Sequence, residues 1–269
     1  MKKENKLIKK VKRLLRRANI PRYLHRFGPK TYEFAEHLQA LLAKACCKLS
    51  YARINHLFDL LGIRCPSKSA LHYTMQRIPS ALWSKLIELT SSSRHYLLAL
   101  DSTGFTRVNP SYHYLRRING AMPKIPVKLS CSFDTSKKKF CSAKISVLPK
   151  HDIKDARHLL QKTNAKVIVA DKAYDANWLH EYCNENNLIA HIPIRKHGKP
   201  RHYNYSARNK AAESFRIRTY RRRGLIESGF FGLKRKYGSS VSSRSARMIR
   251  AEINSRLVCY NYLLRIIEI

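Results

Sequence analysis

The chain has 269 residues, room for one large domain or two modest ones, and 44% of them are hydrophobic, enough for a real core. Its 54 Lys and Arg against 17 Asp and Glu give a formal charge of +37, a self-repelling surface that suits a protein working beside a polyanion, nucleic acid first. No apolar run approaches the length of a membrane span, no apolar segment follows the basic start, and the seven cysteines hold no C-x-x-C pair. These features point away from a membrane protein, a secretory signal, a disulfide framework and a zinc site, and toward reduced thiols in a cytoplasmic, nucleoid-associated protein.

The charge runs along the whole chain. Residues 1–94 carry 20 basic and 5 acidic side chains, a net +15, and the remainder carries 34 and 12, a net +22. The first part reads as helical. Leu7, Val11, Leu14 and Leu15 follow helical spacing, as do Phe34, Leu38, Leu41, Leu42 and Ala45. In SYARINHLFDLLGIRCPSKSALHYTMQRIP, Ser50 can cap a helix with Ile54, Leu57, Phe58 and Leu61 inward, and Gly62 can end it. Ser67 can cap a second helix with Leu71, Met75 and Ile78 inward and Lys68, His72, Gln76 and Arg77 outward. Two short helices around a Gly-containing turn, at about residues 50–78, match a helix-turn-helix whose second helix reads a major groove. One more helix and a Ser-rich break follow, so residues 1–94 are expected to form a helical DNA-binding region and residues 95–269 a second domain.

From Tyr96 the texture changes. Tyr96–Leu100 is a short apolar run that reads as a buried strand, and residues 127–133 and 140–148 read as a hairpin. A helix is expected from about 155 to 163, a strand in AKVIVAD, a helix from about 176 to 186 and a strand in LIAHIPI. A basic irregular stretch, 195–215, then leads to a long C-terminal helical region. This order describes a mixed five-stranded sheet flanked by helices.

Two of these strands run into an aspartate: LLALD at Asp101 and VIVAD at Asp171. Sites in open α/β sheets gather at the carboxyl ends of strands, so the two can share one crevice. A third acid comes from TYRRRGLIESGFFGLKRKYG, where Tyr220, Arg223, Glu227 and Lys234 fall in one narrow sector of a helix, beside an apolar stripe of Ile226, Phe230, Leu233 and Tyr237. Glu227 is the only acid between Glu213 and Glu252. A carboxylate repels phosphate, so acids gathered on a basic DNA-binding protein make sense when divalent cations lie between them and the nucleic acid. Hard oxygen ligands suit Mg²⁺ or Mn²⁺, and two such ions can activate a nucleophile and stabilise a leaving 3′ oxygen. Asp175 reads as a helix cap within possible reach of a metal, and the His151-Asp152 pair reads as a supporting polar pair at most.

Strand–Asp, strand–Asp and helix–Glu resemble the DDE triad of RNase H-like transposases. The Y-x2-R-x3-E-x6-K spacing of Tyr220, Arg223, Glu227 and Lys234 is similar to the C-terminal motif of their prokaryotic insertion-sequence branch, and ALDSTGF and VADKAYDA to its two aspartate motifs. The resemblance covers about residues 96–265. It implies that Asp101, Asp171 and Glu227 ligate two metal ions, that Arg223 and Lys234 hold the phosphates of a transposon end, and that Tyr220 helps position it. It further implies hydrolysis at terminal inverted repeats of double-stranded DNA, attack of the freed 3′-OH on target DNA, and a synaptic homodimer. The rival reading is an inactive or repurposed transposase that only binds DNA.

Overall fold

The computed structural model describes residues 6–24, 27, 30–91, 95–108, 126–161, 163–195 and 206–263. The chain divides into a helical unit, Met1–Thr90 with Leu233–Ile269, and a sheet unit, Ser91–Gly232.

The helical unit begins with α1 (Lys6–Arg17) and α2 (Phe34–Cys46). Their buried faces are Ile8, Val11, Leu14 and Leu15 on α1, and Phe34, Leu38, Leu41 and Leu42 among others on α2. The Glu33 N–H donates to Glu36 Oε2 at 2.7 Å, one half of a capping box. Helices α3 (Tyr51–Leu60) and α4 (Lys68–Arg77) form the expected hairpin. Ser50 Oγ accepts from Arg53 N and Ser67 Oγ from Ala70 N, both at 3.2 Å, which satisfies one orphan donor at each helix start. Gly62 takes φ +61° at the reversal, a conformation that costs glycine little. Ile54, Phe58, Leu71, Met75 and Ile78 are buried, but Leu61 is 61% exposed. It stands at the C-cap, where the chain is already leaving the helix, so the inward stripe ends at Phe58.

Helix α5 (Ser80–Thr90) completes the N-terminal set. The expected simple break near residue 94 does not describe the packing. The last helix, Ala246–Leu263, is a central element of the helical unit. Cys259 Sγ approaches Leu42 O at 3.3 Å, Asn261 Nδ2 donates to Ile87 O at 3.4 Å, and the Tyr262 hydroxyl donates to Lys10 O at 2.7 Å.

In the sheet unit, β1 (Leu97–Arg107) pairs antiparallel with β2 (Val127–Asp134), which pairs antiparallel with β3 (Lys139–Ser146). On the other side β1 runs parallel to β4 (Val167–Ala170), and β4 to β5 (Ile189–His191). The order β3-β2-β1-β4-β5 runs through a mixed sheet, as expected, but the sheet has six strands and not five. Helices α6 (Ile153–Leu160) and α7 (Asn177–Glu185) cover one face, packing Ala156, Leu159, Leu179 and Cys183 on Leu100, Ile168, Ala170 and Ala190. Residues 196–205 of the expected irregular stretch lie outside the described residues; Ser206–Glu213 forms α8.

The segment that carries the third acid is not one continuous helix. It comprises α9 (Ile217–Tyr220), a 3₁₀ turn (Arg221–Arg223) and α10 (Gly224–Tyr237). The apolar stripe Ile226, Phe230, Leu233 and Tyr237 is buried as its spacing requires. Phe230 stacks on Phe140 of β3 with centroids 5.6 Å apart, so α10 lies on the sheet face opposite α6 and α7. The final helix, Ala246–Leu263, becomes α11.

Candidate active site

Asp101 does not sit where β1 ends. The strand continues to Arg107 on the antiparallel side, with Asp101 opposite Cys131, so DSTG is strand and not turn. What ends there is the parallel neighbour: the β1–β4 register stops at Leu100 opposite Ala170, and the next residues are Asp101 and Asp171. The chain leaves β4 into a 3₁₀ turn, Lys172–Tyr174, capped by Asp171, whose Oδ1 accepts from Lys172 N at 2.7 Å. Side chains alternate along a strand, so Asp101 shares the face of Ala99. Ala99 pairs with Phe133, the ring over which α10 passes at Gly229.

That helix brings the third acid. Arg223, the last residue of the 3₁₀ turn, donates from Nη1 to Asp101 Oδ2 at 2.9 Å and from Nη2 to Glu227 Oε1 at 2.6 Å. One guanidinium therefore gathers two acids that are far apart in the chain. Asp101 Oδ1 accepts from Ser102 N at 2.8 Å. Burial raises the Asp101 pKa above its ordinary value; the Ser102 N–H and Arg223 oppose the rise, and Glu227 and Asp152 add to it. Burial works to lower the Arg223 pKa, but Asp101 and Glu227 outweigh it and the net shift is upward.

A polar chain supports β1 beside Asp101. Ser102 Oγ donates to Asp152 Oδ1 at 2.8 Å, and Lys128 Nζ lies 2.5 Å from the same oxygen. Lys128 also reaches Asp155 Oδ2 at 3.8 Å, and the fully buried Asp155 accepts from Ser130 Oγ at 2.9 Å and from Lys150 Nζ at 2.7 Å. Asp152 thus contacts the residue that follows Asp101. Lys128 and Asp155 were not legible as part of the site; the signal was a lysine inside the otherwise buried VKLSCSFD strand.

Asp175 is committed elsewhere. Its carboxylate accepts from His180 Nε2 at 3.0 Å, from Arg208 Nε at 3.0 Å and Nη2 at 2.6 Å, and from Arg195 N at 2.7 Å. It ties the 3₁₀ turn to α7 and α8 and is neither an N-cap nor a group free to bind metal. Tyr220 packs its ring on Phe215, centroids 5.5 Å apart. Lys234 lies seven residues beyond Glu227 on α10, in the part that belongs to the helical unit, and burial lowers its pKa. On α4, Lys68, His72, Gln76 and Arg77 are all exposed.

Among the described residues, no three His, Cys, Asp or Glu side chains are already arranged as a metal cage. The donor set nevertheless fits a hard divalent cation. Asp101 and Glu227 converge on one positive group, Arg223, and Asp171 follows the adjacent strand.

The family model described as the transposase DDE domain matches residues 92–262. The chain belongs to this family. As a member of the DDE transposase family it has a transposase function, and its fold is the RNase H-like one expected from the sequence. No curated protein matches. Among solved structures, a piggyBac transposase in a synaptic complex with hairpin DNA is similar at 12% identity and a TM-score of 0.42, with 96% of this chain and 73% of that chain covered.

Proposed function

We propose that this DDE transposase is of the prokaryotic insertion-sequence kind, binds the terminal inverted repeats of its own element as duplex DNA, cleaves them, and joins the freed 3′-OH to target DNA. Asp101, Asp171 and Glu227 would hold two divalent ions, Mg²⁺ or Mn²⁺. When bound, such ions supply Lewis-acid activation of the attacking hydroxyl and charge stabilisation of the leaving oxygen. The chain's own residues do the rest. Arg223 neutralises Asp101 and Glu227 in the free protein and is positioned to pass to a DNA phosphate, for which its guanidinium is suited. Lys234 and Tyr220 would contact the same backbone. The Lys128–Asp152–Ser102 chain fixes the β1 backbone at Asp101, so the carboxylate keeps its orientation when Arg223 moves away. The partner is double-stranded DNA, and two copies would act together on paired ends in the cytoplasm.

The single observation that carries this reading is the double ion pair of Arg223, which brings the acid of β1 and the acid of α10 to one point. Asp101→Asn tests it. The variant is expected to bind an end duplex about as well as the unaltered chain and to lose strand cleavage. Loss of binding with cleavage intact contradicts the assignment. An unaltered chain that binds ends and never cuts, with Mg²⁺ or Mn²⁺ present, is instead the repurposed DNA-binding protein.

A further inference from the structure

The recognition helix α4 does not stand alone on its surface. A cavity of about 610 Å³ opens between His72, Met75 and Gln76 of α4 and the segment Ser242–Ser245, which precedes α11. Segments far apart in the sequence therefore meet beside two of the side chains assigned to base reading.

The Ser242–Ser245 segment is held firmly. Ser242 N and Ser243 N donate to the two carboxylate oxygens of Glu252 at 3.3 and 3.0 Å. Arg256 grips Glu252 at 2.6 Å and donates to Gly238 O at 3.1 Å and Ser240 O at 2.8 Å. Ser245 Oγ caps α11 by accepting from Met248 N at 3.3 Å. Two residues further on, Arg247 Nη2 donates to Arg77 O at 3.4 Å, which places a cation on the last carbonyl of α4 and fastens the start of α11 to the end of the recognition helix. Arg244 stands exposed in this frame, and among the described residues it has no hydrogen bond or ion pair. It sits at the positive end of an 18-residue helix, among serine hydroxyls, and Glu252, the one acid among the described residues that line the cavity, is buried and neutralised by Arg256.

We propose that Ser242–Arg247 and α4 form one duplex-binding surface, in which α4 reads base edges and Arg244, with the neighbouring serines, holds the phosphate backbone flanking the groove. Phosphate contacts by Arg and Ser side chains beside a helix N-terminus fix the register of a protein on DNA, and base-edge contacts then specify the sequence. The inference rests on the DNA-binding reading of the helical unit and is independent of the catalytic assignment. It moves the DNA-binding surface beyond residues 1–94.

The test uses the full chain, a duplex that it selects from a randomised pool, and a scrambled duplex of equal composition, with affinities measured across a salt titration. Arg244→Ala is expected to weaken both duplexes about equally, several-fold, and to reduce the salt slope by about one. Arg244→Lys should restore most of both. Gln76→Ala should instead shrink the ratio between the two duplexes and keep the slope. An unchanged affinity and slope for Arg244→Ala overturns the proposal, as does a loss confined to the selected duplex, because that makes Arg244 a base reader. If the unaltered chain binds neither duplex, the DNA-binding reading of the helical unit falls with it, and catalysis by Asp101 is then judged separately from cleavage.

Discussion

Arg223 Nη1 stands 2.9 Å from Asp101 Oδ2 across a separation of 122 residues, and its other terminal nitrogen holds Glu227. A guanidinium between two carboxylates competes with any other cation for them. Two unit charges about 4 Å apart attract by roughly 4 kcal/mol at an effective dielectric of about 20. The Glu227 side chain is 56% exposed, so solvent screening leaves only part of that. We therefore expect Arg223→Gln to bind Mn²⁺ without DNA on the order of tenfold more tightly than the unaltered chain, by calorimetry or electron paramagnetic resonance. Added duplex should tighten Mn²⁺ binding by the unaltered chain and leave the variant nearly unmoved. Equal Mn²⁺ affinities with and without the guanidinium would mean that Arg223 does not guard the acids.

Most of the fold is legible in the sequence because most of its elements obey one period at a time. The apolar runs at Leu97–Leu100 and Val167–Ala170, the caps Ser50 and Ser67, and the stripe Ile226–Phe230–Leu233–Tyr237 each announce their structure. The extent of β1 was hidden, because Asp-Ser-Thr-Gly is good turn chemistry and only antiparallel pairing with β2 keeps it extended. The place of α11 was hidden too. It carries Glu252, Asn254, Ser255, Arg256 and Asn261 at buried positions, so its composition reads as half-solvated. Glu252, Ser255, Arg256 and Asn261 bond to one another or to neighbouring backbone, which sequence spacing does not reveal. The Asp101–Arg223–Glu227 contact is likewise a product of folding, although the i, i+4 half of it follows from helical geometry.

The Glu252–Arg256 pair in α11 gives a prediction about stability. Glu252→Gln leaves Arg256 buried without its carboxylate and weakens the hold on Ser243 N. Breaking one side of a buried pair typically costs about 3–5 kcal/mol, and the residual exposure here argues for the lower end. Thermal unfolding of the full chain should start several degrees earlier, and loss of the Ser242–Ser245 frame should weaken duplex binding with it. An unaltered melting curve would show that Arg256 finds another partner.

Asp175 sets a dependence on pH. Its side chain is 1% exposed, and although burial alone would raise its pKa, the bonds from His180, Arg208 and the Arg195 N–H carry it well below the ordinary 3.8. A carboxylate with a depressed folded-state pKa contributes stability that is fully present above 3.8 and is lost as pH falls from there through the folded value. Asp175→Asn should therefore be less stable than the unaltered chain at pH 7, by roughly 2–4 kcal/mol. The gap in melting temperature should hold from pH 7 to about 5 and narrow below 3.8. A gap independent of pH would mean that the Asp175 carboxylate charge contributes nothing.

Gly229 decides how closely α10 approaches the sheet. A Cβ added there would lie 2.8 Å from Phe133 Cε2 and 3.0 Å from its Cζ, and the ring is 1% exposed with Phe140 at 5.0 Å. Alanine is favoured over glycine inside a helix by about 1 kcal/mol, whereas forcing a methyl group into a packed contact costs about 1–3 kcal/mol. Phe133 is hemmed in by its neighbour and cannot give way cheaply, so the clash is expected to win. Gly229→Ala should lower the melting temperature and, by lifting α10, separate Glu227 from Asp101 enough to reduce cleavage. Pairing it with Phe133→Leu should recover part of the cleavage, because the smaller side chain lets the helix settle again. A Gly229→Ala chain that melts higher than the unaltered one, with cleavage intact, would show that the ring moves freely and that glycine is not what sets this approach.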